Sequence, residues 1–171
     1  MEINDWTTHK PILKEAVLQC GKDNILELGC GDGSSPMLRE MGKELYSLES
    51  DWEWGKKYGA ILVPDWVKAY KIFSQIKWGV VFVDNAPWEA RELAIDYFKN
   101  QAEFVVLHDS DYFTVHLGID FTKDFKFVET YYPPDPWPCE TGPPTMLMSN
   151  FRDCHLNEIE EKYNYKCVVK E

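Results

Sequence analysis

Short apolar runs alternate with stretches of helical periodicity along most of this chain. The segments "NILEL" (24–28), "ELYSLE" (44–49), "AILVPDW" (60–66), "WGVVFVD" (78–84) and "EFVVLHD" (103–109) read as strands. The last two are continuous in Val, Phe and Leu rather than alternating, as strands covered on both faces are. Between the strands lie helix patterns. "TTHKPILKEAVLQCG" puts Ile12, Leu13, Ala16, Val17 and Cys20 on one face, with Thr7 or Thr8 as cap, Pro11 in the first turn and Gly21 as stop. "SSPMLREMG" is a short helix with a serine cap, Pro36 in its first turn and Gly42 at its end. "APWEARELAIDYFKN" places Ala90, Leu93, Ala94, Tyr97 and Phe98 on one face. Alternating strand and helix predicts a parallel α/β sheet with right-handed crossovers.

Past Asp111 the pattern changes. "FKFVETYY" and "TMLMSNF" read as a hairpin-like pair joined by "PPDPWPCETGPP", which holds six of the ten prolines. A long loop that stiff is expected to be functional. The tail predicts a short helix ("LNEIEEKY") and an edge strand ("YKCVVK"). One domain over 1–171 is expected: an N-terminal helix and lid (1–23), a core (24–111), and C-terminal strands with the proline-rich loop (112–171).

Composition narrows the classes. At 171 residues, 44% hydrophobic and 15% aromatic, the chain has the material for a packed core. A net charge of −11 makes a phosphate backbone an unfavourable partner, so no nucleic acid is expected. No apolar run approaches the ~20 residues of a membrane span, and "MEINDWTTHK" is too polar for a secretory signal. The five cysteines form no CxxC pair, which predicts reduced thiols and a cytoplasmic location. Cys154-His155 has the look of half a metal site, but nothing at zinc spacing accompanies it. Monomer and homodimer both stay open.

Candidate chemistry centres on "NILELGCGDGSSP" (24–36). The glycines at 29, 31 and 33 follow each other by two. A dinucleotide fingerprint needs its third glycine where Ser34 stands, and a phosphate loop needs GxxxxGK[ST], which also fails at Ser34. Glu49 ends the next strand, where an acidic side chain can accept both hydroxyls of a ribose. At the other half of the sheet Asp84 ends one strand and "HDSD" ends the next. Carboxylates on adjacent strand ends repel each other unless a cation or proton lies between them, and a hard divalent ion meets that need.

A strand running into Glu27-x-Gly29-x-Gly31-x-Gly33 and a capped helix resembles motif I of the class I S-adenosylmethionine-dependent methyltransferases. The resemblance covers roughly residues 5–150. It implies a Rossmann-like fold with a mostly parallel seven-stranded sheet, helices on both faces and an antiparallel C-terminal strand pair. It also implies S-adenosylmethionine as cofactor, with Glu27, Gly29, Gly31, Asp32 and Gly33 around its amino-acid tail. Glu49 would take its ribose, Asp65 and Trp66 its adenine, and Asp84 would face its methyl group. The strand-end acids are similar to those of metal-dependent O-methyltransferases of the sugar and catechol type, which implies magnesium or manganese on Asp84, Asp109 and Ser110. Serine replaces the asparagine of that pattern, and Pro87 stands where the catechol enzymes carry a lysine, which favours a sugar-like hydroxyl as acceptor. His108, Asp84 and Asp109 are the expected catalytic residues. His108 leads as base, with Asp111, His116 and His9 behind it, and Trp6 and His9 are expected in a lid. Arg91 reads as a solvated position or a holder of an acidic substrate group. The segments "DWTTH", "DNAPWEAR" and "TGPPT" are similar to small glycan methyltransferases of large algal viruses.

The expected reaction is therefore metal-assisted methyl transfer to a hydroxyl of a sugar or glycan, the partner being a small-molecule or glycan acceptor. The alternatives are a metal-independent small-molecule methyltransferase with a phenol, amine or carboxylate acceptor, a nicotinamide-dependent reductase, and a non-catalytic cofactor-binding subunit. The amino-methylating asparagine-proline-proline-aromatic motif is absent at 84–88, which reads Asp-Asn-Ala-Pro-Trp.

Overall fold

A computed structural model describes residues 7–134 and 142–169. Strands β1 (Asn24–Leu28), β2 (Glu44–Glu49), β3 (Ile61–Leu62), β4 (Trp78–Val83) and β5 (Ala102–Leu107) pair in parallel in the spatial order 3-2-1-4-5. Strands β6 (Phe127–Tyr132) and β7 (Thr145–Ser149) form the antiparallel pair, with β7 inserted between β5 and β6. Strand β8 (Lys166–Val169) runs antiparallel along the outer edge of β6. Among the described residues the sheet thus has eight strands where seven were expected. The eighth is the tail segment "YKCVVK", and it covers backbone groups that β6 would otherwise present as an open edge. Strand order reverses between β1 and β4, so the crevice above their carboxyl ends is where an open α/β sheet takes ligands.

The sheet carries a core on each face. Leu26, Leu28, Val81, Val83, Val105 and Leu107 pack on one side against α4 (Trp66–Phe73) and α5 (Trp88–Phe98). Ile25, Val80, Phe82, Phe104 and Val106 pack on the other against α1 (Lys10–Gln19) and α6 (Asn157–Tyr163). The unbroken apolar reading of β4 and β5 follows from this double coverage. The helices α2 (Ser35–Glu40) and α3 (Trp52–Tyr58) flank the glycine loop and the end of β2.

Three local expectations change. The strand expected over 60–66 is only Ile61–Leu62, because "PDW" opens α4, with Asp65 as its cap accepting from the Lys68 amide. On α5 the inward stripe is Ala90, Arg91, Ala94, Ile95 and Phe98, and Leu93 is 42% exposed. The helix is turned so that Arg91 reaches the strand ends. At α1 the cap position falls to His9 without a side-chain bond. The hydroxyl of Thr8 lies 3.0 Å from His108 Nε2 instead. Trp6, Cys139 and the middle of the proline-rich loop fall outside the described residues. No helix among the described residues is long and apolar enough to cross a membrane.

Candidate active site

The glycine loop is shaped by its neighbours as much as by any ligand. Gly29 has φ +87°, and a Cβ there would lie 2.6 Å from the Asp84 carbonyl oxygen and 2.7 Å from the Asn85 nitrogen. Only glycine satisfies both the left-handed backbone and this close approach to the end of β4. Gly31 is different. A Cβ built there meets nothing nearer than the Gly33 nitrogen at 3.9 Å, so this position opens onto the cleft.

Glu27 does not reach that cleft. Its carboxylate is fully buried and accepts from the hydroxyls of Ser34 (2.6 Å), Ser35 (2.9 Å) and Ser47 (2.6 Å). Burial pushes its pKa up, and the three serine hydroxyls oppose that rise. The residue expected to meet the cofactor's ammonium is instead the knot tying the glycine loop, α2 and β2 together. It also explains why Ser34, at the cap position of α2, makes no capping bond: its hydroxyl is taken. Asp32 lies on the rim, bonded to Lys57 at 2.8 Å and to the Tyr58 hydroxyl, which together hold its carboxyl below the usual range.

Glu49 ends β2 and faces the cleft. It is 7% exposed and lines the cleft, with Oε2 accepting from the Cys30 amide (2.9 Å) and Oε1 from the amides of Ser50 (2.7 Å) and Asp51 (2.9 Å). A carboxylate has about four acceptor sites, so capacity remains on a side chain whose orientation is already fixed. Asp65 and Trp66 do not line the cleft; Trp66 is buried and donates to the Ala86 carbonyl at 2.8 Å.

At the ends of β4 and β5 four groups interlock. His108 Nδ1 is 3.3 Å from Asp84 Oδ1, and its Nε2 is 3.5 Å from Asp109 Oδ1. Arg91 Nη2 lies 2.9 Å from Asp84 Oδ1 and Nη1 3.1 Å from Asp109 Oδ2, and the guanidinium also donates to the carbonyls of Asp84, Asn85 and His108. Asp109 takes φ +52°, a left-handed conformation that aspartate adopts more cheaply than most residues. Burial alone would depress His108, but the Asp84 carboxylate, with Asp109, outweighs it and holds the imidazole above its ordinary range. Burial would likewise raise Asp84, and His108 and Arg91 outweigh it, so its carboxyl sits below the usual range. Asp84 and His108 therefore each favour the charged form of the other. Asp84 shows the cleft about a quarter of its side chain and His108 only 5%, so the expected base stands behind the carboxylate rather than in front of it.

The cation between the two carboxylates is Arg91, a position read from sequence as solvated or substrate-facing. Both acids are paired with the guanidinium and Ser110 is buried with its Oγ donating to the Pro144 carbonyl (3.3 Å), so the oxygens expected to hold magnesium or manganese already have other partners. The other ligand atoms gathered at Asp84 are nitrogens, from His9 and His108, unlike the oxygen shell a hard cation takes. The donor set does not fit the expected ion.

A cleft of about 1030 Å³ runs from Glu49 past Gly29 and Asp84 to His108, Asp109 and Asp111. Its outer wall is Trp88 stacked on Tyr112 at 4.3 Å, with Arg91 beneath the Trp88 ring at 4.2 Å, and His116 lies farther out. A second lobe of about 450 Å³ shares Cys30, Trp54 and Asp84 with it, and is lined by Gly31, Gly33, Ser34 and His9. His9 is 1% exposed, and both its ring nitrogens are buried without a hydrogen-bond partner. It stands edge-on to His108 at 4.5 Å, and burial, then His108, keep it neutral. The Trp88–Tyr112 wall and the buried Arg91 escape a reading by sequence. The one available signal is the spacing of three between Trp88 and Arg91, which puts them on one helix face.

No protein-family model and no curated protein matches the chain. Solved structures do. An rRNA methylase from Streptococcus thermophilus superposes with a TM-score of 0.56 at 12% identity, over 89% of this chain and 99% of that one. A candidate methyltransferase from Streptococcus mutans, solved in complex with SAH, gives 0.55 at 12% identity, over 86% and 98%. At such identity the likeness is one of fold: this chain has the Rossmann-like fold of these methyltransferases.

Proposed function

We propose that this protein transfers a methyl group from S-adenosylmethionine to a hydroxyl oxygen of a sugar-like acceptor. The observation that carries the reading is the single cleft joining Glu49, the open side of the glycine loop and the Asp84–His108 couple. Bound there, S-adenosylmethionine supplies an electrophilic methyl group on a sulfonium. Glu49 offers its remaining acceptor capacity to ribose hydroxyls. Gly31 admits a close backbone approach, and the unpartnered nitrogens of His9 suit the polar amino-acid tail. Asp84, ionised and facing the cleft, accepts a hydrogen bond from the acceptor hydroxyl, and the Asp84–His108 couple takes its proton. The Trp88–Tyr112 wall offers an aromatic surface to a sugar ring, and Asp84, Asp109 and Asp111 disfavour an anionic acceptor.

Two experiments test this at its two ends. Calorimetry with S-adenosylmethionine is expected to show saturable binding that Glu49→Gln weakens by at least roughly tenfold, the scale of one charge-assisted hydrogen bond. Saturable NADH binding with none of S-adenosylmethionine would sink the reading in favour of a reductase. With Arg91 between the acids, adding magnesium or manganese to metal-stripped protein should change methyl transfer by less than about twofold. A catalytic Lewis acid contributes several kcal/mol, so a large stimulation by either ion would restore metal assistance.

A further inference from the structure

Away from the cleft, on the face of the sheet that carries α1 and α6, three ligand-type side chains meet. They are Glu129 of β6, Cys167 of β8, and His155 of the segment before α6. Cys167 Sγ is 3.1 Å from Glu129 Oε2, and His155 Nδ1 is 3.4 Å from the same oxygen. All three ligand atoms lie within 4.8 Å of one another. The β6–β8 register places Tyr131 opposite Cys167 and Glu129 opposite Val169, which brings Cys167 onto the face of Glu129. The sequence pair Cys154-His155 thus finds partners on strands far from it in the chain, and it is His155 that meets them. Cys154 points its sulfur toward the Phe127 carbonyl at 3.7 Å instead.

Glu129 is the unusual member. It is 4% exposed, and a buried carboxylate needs a cation or a full set of donors. Among the described residues its one ion-pair partner is His155, whose side chain is 39% exposed. Its neutral donors are weak or shared. The Cys167 thiol is a poor donor, and the single proton of the Tyr131 hydroxyl faces both Glu129 Oε2 (2.7 Å) and the Cys154 carbonyl (2.8 Å). Among the described residues no lysine or arginine pairs with Glu129.

We propose that Glu129, His155 and Cys167 form a binding site for a zinc-class divalent cation, with water completing the shell on the exposed side of His155. One sulfur, one nitrogen and one oxygen make a borderline-soft set that suits zinc and not magnesium or calcium. Ligands of one tetrahedral zinc stand roughly 3.3–3.8 Å apart, given metal–ligand lengths of about 2.0–2.3 Å. The His155–Glu129 separation of 3.4 Å lies within that range, and the Cys167–Glu129 separation of 3.1 Å falls just below it. On binding, the Cys167 thiol releases its proton to solvent and its thiolate bonds the metal, while His155 binds as neutral imidazole. The site joins β6, β8 and the segment before α6, and none of its residues lines the cleft, so its role is to hold the C-terminal part of the chain to the sheet.

Cobalt(II) added to metal-stripped, reduced protein is the probe. One equivalent should bind with tetrahedral ligand-field bands and a thiolate-to-cobalt charge-transfer band, and zinc should displace it. Zinc at about 100-fold its Kd should raise Tm by roughly 5–10 °C. Cys167→Ser should lose the charge-transfer band and the Tm shift, Cys154→Ser should keep both, and His155→Ala should bind cobalt at least roughly tenfold more weakly. Cobalt binding without a charge-transfer band overturns the proposal, as does a band that survives Cys167→Ser. Should Cys167→Ser fail to fold, unchanged affinity in the half-exposed His155→Ala variant also overturns it. None of these readouts involves S-adenosylmethionine, so the site stands or falls separately from the proposed methyl transfer.

Discussion

Asp84→Asn is expected to lower kcat/KM for methyl transfer by roughly 10²–10⁴, the range of a general base, and to move the acid limb of the pH profile downward. The couple accepts a proton only as carboxylate plus neutral imidazole. His108 is held above its ordinary 6.5, so activity should rise with pH through an ionisation above that value. The charged groups facing His108 are Asp84 at the end of β4, Asp109 beside it and Arg91 from α5, and the neutral, titratable His9 faces it from the start of α1. Of these, Asp84 raises the imidazole most. Without that carboxylate, burial, which favours neutral imidazole, gains weight, and the limb moves toward lower pH. Two groups this strongly coupled titrate as a pair, so the limb belongs to the couple. His108→Gln should abolish the limb while leaving cofactor affinity unchanged. A limb that stays in place in Asp84→Asn shows that the couple is not the base.

The second large effect separates the roles of two glycines that stand two residues apart in the motif. Gly29→Ala should cost at least about 3 kcal/mol of folding stability, as a new Cβ combines left-handed strain with collision against immobile backbone. Its neighbours at 2.6 and 2.7 Å are main-chain atoms of Asp84 and Asn85, which cannot rotate away. Gly31→Ala has room for its Cβ and should leave urea stability near wild type, yet weaken S-adenosylmethionine by roughly tenfold or more by narrowing the cleft floor. Equal stabilities for the two variants would mean that Gly29 is not held against β4 as described. Undiminished affinity in Gly31→Ala would mean that the open side of the loop is not the cofactor's approach.

What the sequence made legible is what local patterning controls. The apolar runs and helical periodicities located β1, β2, β4 and β5 with α1, α2 and α5, while α3 and α4 went unread and β3 was drawn too long, and the glycine spacing identified the loop. Glu49 was legible because a strand end fixes where its side chain can be. Glu27 was not, because serines at 34, 35 and 47 converge on it only after β2 has paired with β1. Arg91 escaped for a similar reason. A helix wheel ranks it as solvent-facing, and only the two acids at the ends of β4 and β5 make burying it favourable. Charge repulsion pointed to the need for a cation or a proton between those acids, and Arg91 stands there. Which cation meets it depends on the rotation of α5, and periodicity alone misjudged that rotation by placing Leu93 inward.

The insertion of β7 between β5 and β6 also sets an order of assembly. The outer edge of β5 carries Val105, Val106 and Leu107, each fully buried once β7 has paired with it. Its partner is the second member of the hairpin, so that edge stays open until a later and non-local piece of chain arrives and β6 swings past it. During synthesis, with the N-terminal segments made first, the two-sided apolar β5 is the last parallel strand to be closed off and the first edge available to another chain. Protection of the nascent protein against association rests on how fast residues 145–149 find their slot.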